Sequence, residues 1–257
     1  MIVSKNLLDS MAEKRALRLS ALLAEEFQAL YPQRCRTLGE KYLQEFTQRC
    51  ALDAHRLGCQ NYGELKAYAF IALHLGVDFA KDPHYPWVRD ILAKEDVFSL
   101  KMEAISKVFF KSYYLADAVK LEVYKKALEQ LEKVNFQHIK TFTDYTQIAE
   151  VLEAVYPERV KELGGVENVS IYINLSSEGK AKAYNIEHPI GVFIYATLTF
   201  FLGSGSDNDA LYHWVRKYLN NPEADMTKKV DKFVKVTRKR VRNNIRHIEK
   251  TLEEIQA

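Results

Sequence analysis

The sequence predicts an all-α protein, and three features carry that expectation. Leu, Ala, Lys and Glu are abundant while only ten Gly and six Pro punctuate 257 residues, a balance that favours helices. Apolar residues recur at steps of three and four along most of the chain, the spacing of one helix face. Finally, "YAFIALHLG" at 68–76 returns as "YATLTFFLG" at 195–203, which is a repeat of one helical unit rather than an accident of composition.

Other blocks return in the same order. Tyr31-Pro32-Gln33-Arg34 reappears as Tyr156-Pro157-Glu158-Arg159, and Leu38-Gly39 as Leu163-Gly164. "YPWVRDIL" at 85–92 reappears as "YHWVRKYL" at 212–219. The near-constant spacing predicts two divergent copies of one module in tandem, residues 1–135 and 136–257, with the junction around 133–143. Equivalent places are expected for Tyr68 and Tyr195, Gly76 and Gly203, and Trp87 and Trp214, each Trp packing on its module's third helix.

Leu8, Ala12, Ala16, Leu19, Leu23, Phe27 and Leu30 form the stripe of a first helix, ended by Tyr31-Pro32. Leu43, Phe46, Cys50, Ala54 and Leu57 form a second, with Gly58 suited to its end. Asn61 and Glu64 are spaced as a capping box for a third helix through Leu65, Tyr68, Ala72 and Leu75. Asp82-Pro83 reads as the start of a short fourth helix ending at Leu92, with Asp209 in the equivalent place, so both aspartates read as caps. Phe98, Met102, Ile105 and Phe109 line a further helix that breaks and resumes through Leu121, Tyr124, Leu128 and Leu131. A last helix of about thirty residues runs from Met226 to Ile255. The segment 166–177 alternates like a strand, but the repeat aligns it with a helix whose Val169, Tyr172 and Ile173 face inward. Helix is the expectation, because a lone strand has nothing to pair with.

Catalytic chemistry is not legible. Cys35, Cys50 and Cys59 have no C-x-x-C spacing, so neither a disulfide framework nor a zinc site is expected. Asp78, Asp82 and His84 cluster, but Gly205, Asp209 and Leu211 replace them in the second copy, so a capped turn is expected there rather than a metal site. "LGSGSDND" at 202–209 lacks the G-x-S-x-G elbow and the dinucleotide-binding pattern. The expectation is a protein that is not an enzyme, with no catalytic residue, no cofactor and no metal. His213 reads as a surface or partly packed imidazole. The N-terminus carries charges throughout and no signal peptide is read there. The most apolar stretch, 190–203, is shorter than the roughly 20 residues that span a bilayer. A cytoplasmic protein without a membrane partner is expected.

Charge is the informative feature. Ten basic residues stand against two acidic ones between 226 and 250, whereas the whole chain carries +3. The cations are thus concentrated on one helix, where a solvated face and an acidic protein partner are both open readings. Lys235, Arg238, Lys239, Arg242 and Arg246 are the candidate partner-binding residues. Nucleic acid is disfavoured, since no aromatic residues interleave the cations.

The Tyr-Pro-x-Arg-Cys element at 31–35, Leu38-Gly39-Glu40 and "LGVDFAKDPHYPWVRDIL" at 75–92 resemble small helical bacterial proteins encoded in type VI secretion gene clusters. The resemblance covers the first copy. It implies an adaptor or chaperone for an effector or spike component. An immunity protein against a cognate toxin, or an enzyme or effector whose site is dispersed, are the alternatives.

Overall fold

The computed structural model describes residues 5–113, 118–142, 144–177, 179–222 and 225–256, and among them there is helix but no β-strand. The chain forms two compact units. One holds the described residues through Tyr113 together with Gly205–His213, and the other holds 118 through Ser204 together with Trp214 onward.

The first unit contains α1 (Lys5–Leu30), α2 (Pro32–Leu38), α3 (Glu40–Arg56), α4 (Tyr62–Leu75), α5 (Pro86–Leu92) and α6 (Phe98–Ser112). α1 packs on α2 and α3, α3 on α4, and α4 and α5 on α6. The apolar stripes cause this order: Leu23, Phe27, Leu43, Phe46, Leu65, Tyr68, Ile105 and Phe109 are all buried. Leu30 departs from its stripe and lies 53% exposed at the end of α1. Asn61 caps α4 by accepting from the Glu64 N–H at 3.0 Å, while the Glu64 carboxylate accepts from the Gln60 N–H at 2.7 Å.

One expectation needs correction here. α5 starts at Pro86 rather than at Pro83, with Tyr85 as its N-cap residue. The Asp82 carboxylate instead closes a tight turn by accepting from the His84 N–H at 2.9 Å. Trp87 stacks its indole on Tyr113, the residue that follows α6, with ring centres 5.4 Å apart, and its N–H donates to the Tyr113 hydroxyl at 3.1 Å.

The stretch 205–213 completes this unit. Its single 3₁₀ turn, Ala210–Tyr212, packs on α3. Asp209 caps that turn by accepting from the Leu211 N–H at 2.8 Å, and its other oxygen accepts from the Val77 N–H at 2.9 Å. His213 stacks on Tyr42 with ring centres 4.0 Å apart. Gly205 is required by close approach, since a Cβ there would lie 2.2 Å from Asp78 Oδ2.

The second unit contains α7 (Ala118–Lys133), α8 (Phe136–Ile139), α9 (Tyr145–Val155), α10 (Pro157–Glu162), α11 (Val166–Ser177), α12 (Lys180–Ala183), α13 (Pro189–Leu202), α14 (His213–Leu219, after its first residue) and α15 (Met226–Gln256). α9 packs on α10 and α11, α11 on α13, and α13 on α15. The segment 166–177 is helix, with Val169, Tyr172 and Ile173 buried.

These units do not follow the bounds 1–135 and 136–257. α7 belongs to the second unit because its Leu121 and Leu128 form one apolar cluster with Val241, Ile245, Ile248 and Leu252 of α15. The stretch 133–143 holds α8, which packs on α13 and buries Ile139.

Candidate functional site

α15 is a 31-residue helix that sorts its residues by face. Val230, Phe233, Thr237, Val241, Ile245, Ile248 and Leu252 are buried, and the helix packs on α7 and α13. At 3.6 residues per turn, positions 235, 238, 239, 242 and 246 share an arc of roughly 100°, away from that stripe. Lys235, Lys239, Arg242 and Arg246 are exposed and Arg238 is half-buried. The five candidate residues are therefore on one side of one rigid element.

They differ in what they touch. Arg238 donates to the Val134 carbonyl at 3.5 Å, just beyond α7, and Arg242 pairs with Glu132 in its last turn. Cations at a helix C-terminus meet its unpaired carbonyls and negative dipole end, so both arginines have a structural use. Arg246 donates to Asn243 Oδ1 at 3.0 Å on its own helix. No ion pair holds Lys235 or Lys239 among the described residues.

The other cations of the segment are largely accounted for. Arg240 lies over the Trp214 ring, 5.6 Å from its centre, a cation–π arrangement. Lys228 pairs with Asp225 at 3.8 Å and Lys250 with Glu254 at 3.7 Å. Lys229 is buried, and its ammonium donates to the Leu219 carbonyl at 2.7 Å and to the Tyr184 carbonyl. The density of charge along α15 thus has two causes, helix-end contacts inward and a narrower stripe of Lys235, Lys239 and Arg246 outward.

The first unit holds a second polar network, around Arg49 and Asp53. Arg49 pairs with Asp53 at 2.6 Å and with Asp78 at 2.9 Å, and Arg56 reaches Asp53 at 3.0 Å. Asp78 is thereby directed to Arg49, while Asp82 and His84 are buried together with 3.6 Å between Oδ1 and Nδ1. Burial pushes the Cys50 thiol and the Tyr68 phenol well up, so both stay protonated at neutral pH. Desolvation likewise lifts the half-buried Cys59 thiol to about 11. A thiol held protonated is a poor nucleophile. Among the described residues no three His, Cys, Asp or Glu side chains are grouped to hold a metal ion.

Protein-family models, curated proteins and solved structures yield no match to this chain. No helix of the described residues is long and apolar enough to cross a membrane.

Proposed function

We propose that this chain is a non-enzymatic accessory protein that binds another protein, with an acidic surface of that partner docking along the outward stripe of α15. The observation that carries the reading is Lys235, Lys239 and Arg246, exposed on one face over roughly 16 Å of helix, with no ion pair to any of the three among the described residues. Like charges at such spacing cost a few tenths of a kcal/mol per pair in an isolated helix. Arg238 and Arg242 flank the stripe and already hold the end of α7, so they belong to its edge.

We also read residues 1–135 and 136–257 as divergent copies of one module, although the compact units cut across those bounds. Tyr31 and Tyr156 precede Pro at the start of α2 and α10 with similar backbone angles, φ −131° and ψ 56° against φ −144° and ψ 71°. Gly76 and Gly203 end α4 and α13 at φ 95° and 94°, a region that favours glycine. Their N–H groups donate to Ala72 and Thr199 carbonyls, both at 2.9 Å. Tyr68 and Tyr195 are each 1% exposed. The helix packing order repeats as well. With the resemblance of 31–92 to helical proteins of type VI secretion clusters, this supports a cytoplasmic adaptor or chaperone for an effector or spike component.

Affinity purification from the native cell would supply the partner for the decisive measurement. Lys235→Glu, Lys239→Glu and Arg246→Glu together should slow association by about tenfold or more at low ionic strength and flatten its salt dependence. Thermal stability should hardly change, because all three side chains are exposed. An association rate equal to that of the wild type would remove α15 as the docking face.

A further inference from the structure

α1, α3 and the turn into α4 do not close on one another completely. They leave a hollow of about 580 Å³ within the first unit, a volume in the range of small-molecule sites. Ala16, Ala51 and Leu65 are buried at its apolar side, joined by the half-buried Leu19. Lys14, Arg15 and Arg18 of α1 and His55 of α3 line it, and no Asp or Glu does among the described residues.

The cations are placed rather than scattered. Arg15 donates to the Gln60 carbonyl at 3.1 Å, which fixes one wall to the turn opposite. Lys14 and Arg18 stand four residues apart on one helix face, and no ion pair holds either among the described residues. Nearby polar groups are already committed: Asn61 and Glu64 cap α4, and the Cys59 thiol donates to the Asn61 carbonyl at 3.3 Å. The described side chains that line the cavity thus include three cations and no carboxylate, with Glu64 reaching the wall only at Cys59. We propose that this hollow binds a small amphipathic anion, a carboxylate or phosphate ester head group carried on an apolar body. The head group sits between Lys14, Arg15 and Arg18, where guanidinium groups match oxyanions in pairs of hydrogen bonds. The apolar body covers Ala16, Leu19, Ala51 and Leu65.

Calorimetric titration of the full chain tests this with decanoate, decyl phosphate, decanol and inorganic phosphate, all below micelle-forming concentrations. Saturable one-to-one binding is expected for decanoate or decyl phosphate, and their ratio identifies the preferred head group. Decanol and inorganic phosphate should bind at least about tenfold more weakly, since each lacks half of the complement. Lys14→Gln with Arg18→Gln should weaken the anionic amphiphiles roughly tenfold or more, the scale of losing hydrogen bonds to charged groups. Both side chains are exposed, so an unchanged circular dichroism spectrum and melting temperature are expected for that variant. Lys235→Glu with Lys239→Glu should leave this binding intact, which separates the site from the docking face of α15. No saturable binding of either amphiphile, equal binding of decanol, or an undiminished affinity in the Lys14/Arg18 variant would each overturn the proposal.

Discussion

Replacing Lys229 by Met should destabilise the protein by about 2–5 kcal/mol, although the change removes a buried charge and adds a hydrophobic side chain. Exchanging buried ions for apolar residues is often harmless when both partners go together. Here the partners remain. The Lys229 ammonium accepts nothing and donates to the carbonyls of Leu219, at the end of α14, and of Tyr184, just after α12. Carbonyls at helix ends have no partner within their own helix, and a buried one stripped of its donor costs about 1–3 kcal/mol. Two such groups exceed what a methionine gains by packing. Burial lowers the pKa of the ammonium, so desolvation opposes the bonds. Urea denaturation of Lys229→Met against wild type measures the difference. A variant as stable as the wild type would mean that the desolvation cost already cancels both hydrogen bonds.

The same residue marks where the sequence stopped being legible. Counting charges treats Lys229 and Lys235 alike, yet one is buried under two carbonyls and the other is exposed. Its register was the available signal: 229 precedes the buried Phe233 and Thr237 at steps of four, on the apolar side of the helix. Period 3.6 served well for α3, α4, α6, α11 and α15, because each buries one face. It said nothing of which unit α7 joins, since an apolar stripe does not name the surface that covers it. In the sequence the start of α5 reads at Pro83 instead of Pro86, because a proline after an aspartate suits a first helical turn. A turn closed by Asp82 stands there instead. The pair Lys14 and Arg18 also had a sequence signal, two cations four apart in α1, but its meaning depends on a hollow that only packing creates.

Asp209 should make the protein lose stability as pH rises through about 6, the reverse of a salt-bridged carboxylate. Burial is the first cause of its shift: the carboxyl is lifted from 3.8 to about 6, with Asp78 adding repulsion, against the Val77 and Leu211 N–H groups and Arg49. At pH 5 the folded chain then holds a proton that the unfolded chain has mostly released. Stability from this group is fully present below about pH 4 and is lost as pH climbs past the folded value, a total of about 3 kcal/mol for a shift of some two units. Asp209→Asn keeps the side-chain shape and removes the titration, while Arg49, Asp53 and Asp78 remain in both proteins. It also trades one acceptor oxygen for a donor, which adds a constant offset but no slope. Unfolding free energies of the two proteins, measured from pH 4 to pH 7, should therefore diverge with pH. The wild type should fall relative to the variant by about 2–3 kcal/mol, with the steepest change between about pH 4 and pH 6, the two pKa values. Parallel curves would mean that the two N–H donors and Arg49 hold the carboxylate ionised across the whole range, and that its burial is offset within the first unit.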